Sequence, residues 1–299
     1  MANTRPAMTN EARKGHLAML LFSALVAGSF ALGGLAAPLI DPLAMNAIRF
    51  WIGAAMILGV LVAMGEVRPQ HFRAPWRFLI LGGLFAIYFG TMFIGLQTAA
   101  PISIATTFTL TPVMAAGFGW LLLRQITTPR MALALSIAAA GAVWVIFDAD
   151  LAAIAAFQIG RGEAIFFVGC IAHAIYIPLV RIVKRDEPLI VLTFGMLVSG
   201  GLVLSIAAAP AILAIDWLHL PRIVWITILY TAILASSVTF FLTQFAALRL
   251  PSAKVMAYTY LVPVWVIGWE IALGHDLPAA GVLAGIALVV VGLLMLLKD

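Results

Sequence analysis

Apolar runs of about 20 residues follow one another along the whole chain, separated by short stretches where prolines and charged residues collect. Pro38, Pro42, Pro69, Pro75, Pro101, Pro129, Pro188, Pro210, Pro221, Pro251 and Pro278 mark the breaks. Proline lacks the backbone N–H and restricts the residue before it, so helices start or stop there. An apolar run of this length reads as a helix that crosses a bilayer. The pattern predicts ten such spans, over residues 17–37, 43–64, 77–97, 102–123, 130–147, 162–181, 189–210, 222–246, 253–273 and 279–297. The first follows Arg13 and Lys14 as in a secretion signal, but it exceeds the signal's apolar core of about 7–15 residues. It is read as helix one.

Composition supports this reading. Of 299 residues, 64% are hydrophobic and 10% charged, against about 25% charged in soluble domains. A soluble fold of this size could not hide so much apolar surface. Ten spans use roughly 200 residues, so the remainder makes short loops and no soluble domain. The expected fold class is an all-α membrane protein with the lipid bilayer as its solvent.

The net charge of +5 does not point to nucleic acid, because the basic residues are scattered over short loops and not gathered on one face. They report topology instead. With the N-terminus in the cytoplasm, 14 of the 17 Lys and Arg fall on the inner side: Arg5, Arg13, Lys14, Arg68, Arg73, Arg77, Arg124, Arg130, Arg181, Lys184, Arg185, Arg249, Lys254 and Lys298. Arg161 and Arg222 fall outside, and Arg49 lies within a span. Both termini are therefore expected in the cytoplasm. Losing one span would reverse all later loops and destroy the asymmetry.

The chain also repeats itself. Pro101 matches Pro251, Pro112 matches Pro263, Arg124 matches His275 and Gly141 matches Gly292, with one residue inserted between the first and second prolines. The halves are 1–150 and 151–299, with five spans each. An odd number of spans gives the two copies opposite topology. Inverted repeats of this kind belong to transporters, with the site near the midplane at the repeat interface.

No G-x-x-x-x-G-K-[ST], H-E-x-x-H or paired cysteine occurs, so no P-loop, metal site or other cofactor is expected. The single Cys170 can form no internal disulfide and reads as a small packing residue. Candidates for binding are the polar groups inside spans. Arg49 either anchors a substrate carboxylate or bonds structurally to backbone carbonyls or Glu270. Glu270 could take a proton or an amine, or face water at the outer rim; it and His173 are the plausible proton carriers. His173, in span six, can donate to and accept from a polar ligand, or pack against a neighbour. Thr107 and Thr111 share a face of span four, and Gln244 is the costliest amide in span eight to leave unpaired. Tyr88, Tyr176 and Tyr260 lie deep, where a hydroxyl needs a partner. Trp76, Trp144, Trp217, Trp225 and Trp269 sit near span ends, as interfacial belts do. Gly281 and Gly285 suit a close contact, between repeats or in a dimer. Gly33 and Gly34 could let helix one bend.

The segments Pro42 to Arg49-Phe50, Leu110-Thr111-Pro112 through Arg124 to Gly141, Ala172-His173-Ala174-Ile175-Tyr176, and Val262-Pro263 through Gly274-His275 to Gly292 resemble the drug/metabolite transporter superfamily, specifically its EamA-like exporters. The chain departs at Leu123-Arg124 and Gly274-His275, where that family often has Gly-Glu, and at His173, where it often has Trp. Within the superfamily, Tyr88, Tyr176 and Tyr260 look most like the YddG-type amino-acid exporters. The resemblance implies two inverted five-helix repeats around a central cavity, lined mainly by helices 1, 3, 4, 6, 8 and 9. It implies a secondary transporter in the inner membrane, exporting amino acids or related metabolites by alternating access; monomer and homodimer both stay open. The other readings are export of another small metabolite or drug-like compound, and a non-transport membrane subunit.

Overall fold

The computed structural model describes residues 10–147, 149–156 and 159–297; Arg5 and Lys298 lie outside them. These residues form helices and turns, with no strand among them. Among the described residues ten helices are long and apolar enough to cross a membrane: α1 (Asn10–Ala36), α2 (Pro42–Ala63), α3 (Trp76–Gly95), α4 (Pro101–Leu123), α5 (Pro129–Ile146), α6 (Arg161–Val183), α7 (Leu189–Ala207), α8 (Arg222–Ala247), α9 (Ser252–Ala272) and α10 (Ala280–Leu297). Every expected span is present. The largest departure is the start of α1, because its first turns are held by ion pairs: Glu11 meets Lys14 at 2.7 Å and Arg249 at 2.8 Å. Proline opens α2, α4 and α5 in the first turn, where its missing N–H has no intrahelical partner to lose. Asp41 caps α2 by accepting from the N–H groups of Leu43 and Ala44.

Three spans are broken midway. In α4 the helix pauses at Thr109-Leu110 before Pro112. In α9 it tightens to a 3-10 turn over Tyr258–Leu261 before Pro263. Both follow from the repeated prolines. In α8 residues Ile233–Val238 widen to a π-helix, although no proline lies there.

The packing repeats like the sequence. α3 packs on α6 as α8 packs on α1; α3 on α7 as α8 on α2; α4 on α6 as α9 on α1. The remaining major contacts, α2 with α7, α4 with α9 and α5 with α10, join equivalent helices of the two halves. Exchanging the halves leaves this contact scheme unchanged, as two inverted five-helix repeats require.

Glycines set the closest approaches. A Cβ at Gly141 would lie 2.6 Å from the Gly285 carbonyl oxygen, and one at Gly292 2.8 Å from that of Ala134. Trp144 Nε1 donates to the Gly281 carbonyl at 3.1 Å. Gly281 and Gly285 thus serve the α5–α10 contact inside one chain. Gly33 and Gly34 of α1 make room for Leu96 and Pro101.

A ten-crossing chain puts α1's start and the connections α2–α3, α4–α5, α6–α7 and α8–α9 on one face, here the terminal face. The other connections lie on the opposite face.

Candidate transport site

Side chains from five helices meet at the buried centre. On α3 Phe85, Tyr88 and Phe89 share one face through i, i+3 and i+4 spacing. On α6 Phe166, Cys170, His173 and Ile177 do the same, and all are buried. The His173 ring centre lies 4.5 Å from Tyr88, 5.1 Å from Phe85 and 5.2 Å from Phe108 of α4, with Phe22 of α1 at 6.4 Å. Phe85 also meets Tyr176 at 4.4 Å and Phe240 of α8 at 4.1 Å.

Apolar rings alone would make this an ordinary core. The polar atoms within it do not fit that description. The Tyr88 hydroxyl and both ring nitrogens of His173 are buried with no hydrogen-bond partner. Leaving such a group unsatisfied costs about 1–3 kcal/mol, and folds keep few of them without a functional reason. The structure therefore brings Tyr88, His173 and Tyr176 together, within an aromatic surround.

Arg49 borders this centre and is fully buried. Its guanidinium lies 3.8 Å from the centre of the Phe89 ring. It donates to Ser236 Oγ at 2.8 and 3.0 Å, to Asn46 Oδ1 at 3.0 Å and to the Ala235 carbonyl at 3.3 Å. Ser236 and Ala235 belong to the π-helical turn of α8, so Arg49 ties α2 to that turn. Among the described residues all of its partners are neutral. Glu270 is not one of them: its Oε2 lies 2.7 Å from His275 Nδ1 beyond the far end of α9.

The other candidates spread outward. Gln244 accepts from Thr193 Oγ1 at 3.2 Å and donates to Met196 Sδ at 3.0 Å, a sulfur that also accepts from the Tyr176 hydroxyl at 3.4 Å. This polar cluster links Tyr176 of the centre to α7 and α8. Thr107 bonds back to the Ser103 carbonyl at 3.0 Å. Thr111 bonds back to Phe108 at 2.7 Å and meets Thr259 Oγ1 at 3.3 Å where α4 crosses α9. Tyr260 lies apart, in a second cluster with Met131, Leu135, Ala138 and Val289 of α5 and α10; its hydroxyl is also unpartnered. Sequence reasoning missed the phenylalanines of the centre and Met196. Eighteen phenylalanines are scattered through the chain, and only Phe85, three residues before Tyr88 on α3, had a spacing that marked it.

The terminal face is fastened by a buried ion pair. Arg77, in the first turn of α3, donates to Glu187 Oε1 at 2.7 Å and to the Val183 carbonyl at 2.9 Å; both charged side chains are at most 3% exposed. Burial pushes the Glu187 carboxyl up, but the Arg77 hydrogen bond, the Arg185 backbone N–H and the Arg77 charge outweigh it and hold it below the usual carboxylate range. The repeat has its own version of this pair. Glu187-Pro188-Leu189 before α7 matches Asp41-Pro42-Leu43 before α2, and Pro75-Trp76-Arg77 at α3 has its counterpart in Pro221-Arg222 at α8. Asp41 and Arg222, on the opposite face, are exposed and form no ion pair among the described residues. One of two equivalent fastenings is closed.

Comparison with known proteins agrees with this architecture. A solved crystal structure superposes with a TM-score of 0.72 at 21% identity, covering 97% of this chain and 96% of its own, which speaks to the fold. The "Uncharacterized transporter YyaM" of Bacillus subtilis (strain 168) is 25% identical over 282 residues, 93% of this chain and 92% of that protein. The model of the EamA-like transporter family matches twice, over residues 13–147 and 160–298, once for each half. This multi-pass membrane protein belongs to the EamA-like transporter family.

Proposed function

We propose that the chain exports amino acids, aromatic and other neutral ones, across the inner membrane by alternating access. The observation that carries this reading is the aromatic centre with the unpartnered Tyr88 hydroxyl and His173 nitrogens, bordered by Arg49 with only neutral partners. Rings accept an apolar or aromatic side chain by stacking and edge contacts. The Tyr88 hydroxyl and His173 ring supply hydrogen bonds to an amine or carboxylate, and Arg49 supplies the positive field that a carboxylate seeks. Tyr176 and Gln244 extend the polar rim. Thr107 and Thr111, on α4 on either side of Phe108, shape the centre's edge, while Tyr260 lies apart against α5 and α10. A binding centre that is mostly apolar with a few bonding groups favours broad specificity.

The halves, 1–150 and 151–299, exchange conformations in this reading. The closed Arg77–Glu187 pair on one face and the open Asp41–Arg222 counterpart on the other support it, since a two-state inverted repeat swaps such contacts between faces. The distribution of Lys and Arg supports termini in the cytoplasm. A monomer suffices for the mechanism, and a homodimer is compatible with it.

Export of another small metabolite or drug-like amphiphile is the second reading, favoured by the same uncharged rings. Uptake of a radiolabelled amino-acid panel into liposomes holding the purified protein, with and without a pH gradient, separates the two. Competable uptake of phenylalanine or leucine establishes the first. No uptake above empty liposomes from folded protein rejects it and directs the search to nucleosides, sugars and amphiphiles. Gradient dependence would make His173 and Glu270 the coupling candidates to mutate next.

A further inference from the structure

On the terminal face a basic pocket and an apolar groove share one wall. The pocket, about 460 Å³, is lined by Arg68, Arg73, Arg77 and Arg185 with Asp186 and Glu187. Arg77 is spent on Glu187 and Arg68 lies 3.7 Å from Glu66. Arg73 and Arg185 are exposed and make no ion pair among the described residues. The pocket therefore keeps two guanidinium groups outside any ion pair among the described residues, one from the α2–α3 connection and one from the α6–α7 connection, with the Asp186 carboxylate in its lining, so its four arginines outnumber its two carboxylates.

The groove, about 510 Å³, is lined by Phe72, Trp76, Leu79, Phe194, Val198 and Leu202 among others. Phe194, Val198 and Leu202 lie on one face of α7 and span about 12 Å at 1.5 Å per residue. Starting one turn from the terminal face, the groove reaches into the hydrocarbon depth. Its wall toward the pocket is a single stretch of chain. His71, Arg73 and Arg77 turn to the pocket, while Phe72, Trp76 and Phe78 turn to the groove. Phe72 fixes that wall by packing on Phe78 and Phe194, with ring centres 6.3 and 6.0 Å away.

We propose that this composite surface binds one anionic glycerophospholipid, with its phosphodiester against Arg73 and Arg185 and an acyl chain in the groove along α7. The charge pattern selects the occupant. Planar guanidinium groups match phosphate oxygens, and a basic pocket between spans suits an anionic headgroup. A free phosphate would leave about 510 Å³ of apolar groove without a partner. A zwitterionic lipid would bring an ammonium group up to the two arginines. A lipid seated here spans the α3 and α7 ends that the Arg77–Glu187 pair joins, so it stabilises the closed terminal face.

The test is a titration of delipidated full-length protein in detergent, followed by native mass spectrometry, with phosphatidylglycerol, phosphatidylethanolamine of the same chains, and inorganic phosphate. Phosphatidylglycerol is expected to bind at least tenfold more tightly than phosphatidylethanolamine. Arg73→Ala with Arg185→Ala should lose that preference, while Arg73→Lys with Arg185→Lys keeps most of it. Both positions are exposed, so these variants fold. Val198→Trp, which fills the groove, should weaken phosphatidylglycerol without restoring the ethanolamine lipid. Equal binding of the two lipids, an unchanged double-alanine variant, or displacement of the lipid by phosphate at equal concentration would overturn the proposal. The assay uses no transported solute, so it stands apart from the substrate assignment.

Discussion

Arg49 and Tyr88 are both buried polar residues near the centre, yet only the removal of Arg49 should lower stability. Arg49 is held by four hydrogen bonds and a ring face. Arg49→Ala deletes these and leaves Ser236 and Asn46 short of partners, so it should destabilise the fold by about 3 kcal/mol. Chemical denaturation in bicelles measures this; an unchanged midpoint would refute the structural role. Tyr88 carries a hydroxyl that costs the folded state and has no partner. Tyr88→Phe should therefore leave stability equal or raise it by about 1 kcal/mol, while lowering liposome uptake at least tenfold. A destabilised Tyr88→Phe would mean that the hydroxyl is bonded in the fold. Arg49 was legible in the sequence because a charge inside an apolar run is rare. Its partner Ser236 was not, being 187 residues away along the chain. His173 was legible as a group that could bind or pack, but nothing in the letters showed that both its nitrogens lie among rings.

At the scale of elements, glycine seams and helix breaks do most of the positioning. The α5–α10 seam brings Gly141 so near the Gly285 backbone that any side chain must push the helices apart. Gly141→Val should cost about 1–3 kcal/mol as overpacking. Gly59 and Gly268 have nothing within 4 Å of a new Cβ, so Gly59→Ala and Gly268→Ala should fall within about 0.5 kcal/mol of the parent. Thermal unfolding of the three proteins in one detergent checks the contrast, and equal midpoints would show that the seam tolerates separation. The breaks in α4 and α9 were legible from Pro112 and Pro263. The π-turn of α8 was not, because no proline or glycine marks it. What the turn does is tertiary: it presents Ser236 and Ala235 to Arg49, as π-turns at functional positions do.

For the whole molecule, the inverted repeat makes two faces that are equivalent in sequence and different in structure. The matching prolines and glycines made the repeat legible. They could not say which of two equivalent ion pairs is formed, because Glu187-Pro188-Leu189 and Asp41-Pro42-Leu43 carry the same chemistry. Only conformation distinguishes them. Glu187→Gln removes the charge from the closed pair, so amide hydrogen exchange in the first turns of α3 and in the α6–α7 connection should accelerate several-fold. Asp41→Asn keeps the cap of α2, since asparagine caps as well as aspartate, and touches a pair that is open. Exchange around Arg222 should therefore stay at the parent rate. Acid should act as Glu187→Gln does. The Glu187 carboxyl lies below its ordinary value, so its stabilising contribution is complete above the unfolded range near about 4.3. It is lost as pH falls through the lower folded value. The terminal face should loosen there, and in the Glu187→Gln protein this loosening should no longer depend on pH. Equal responses of Glu187→Gln and Asp41→Asn would mean that the two faces do not differ in solution, and the asymmetry would then cease to support alternation.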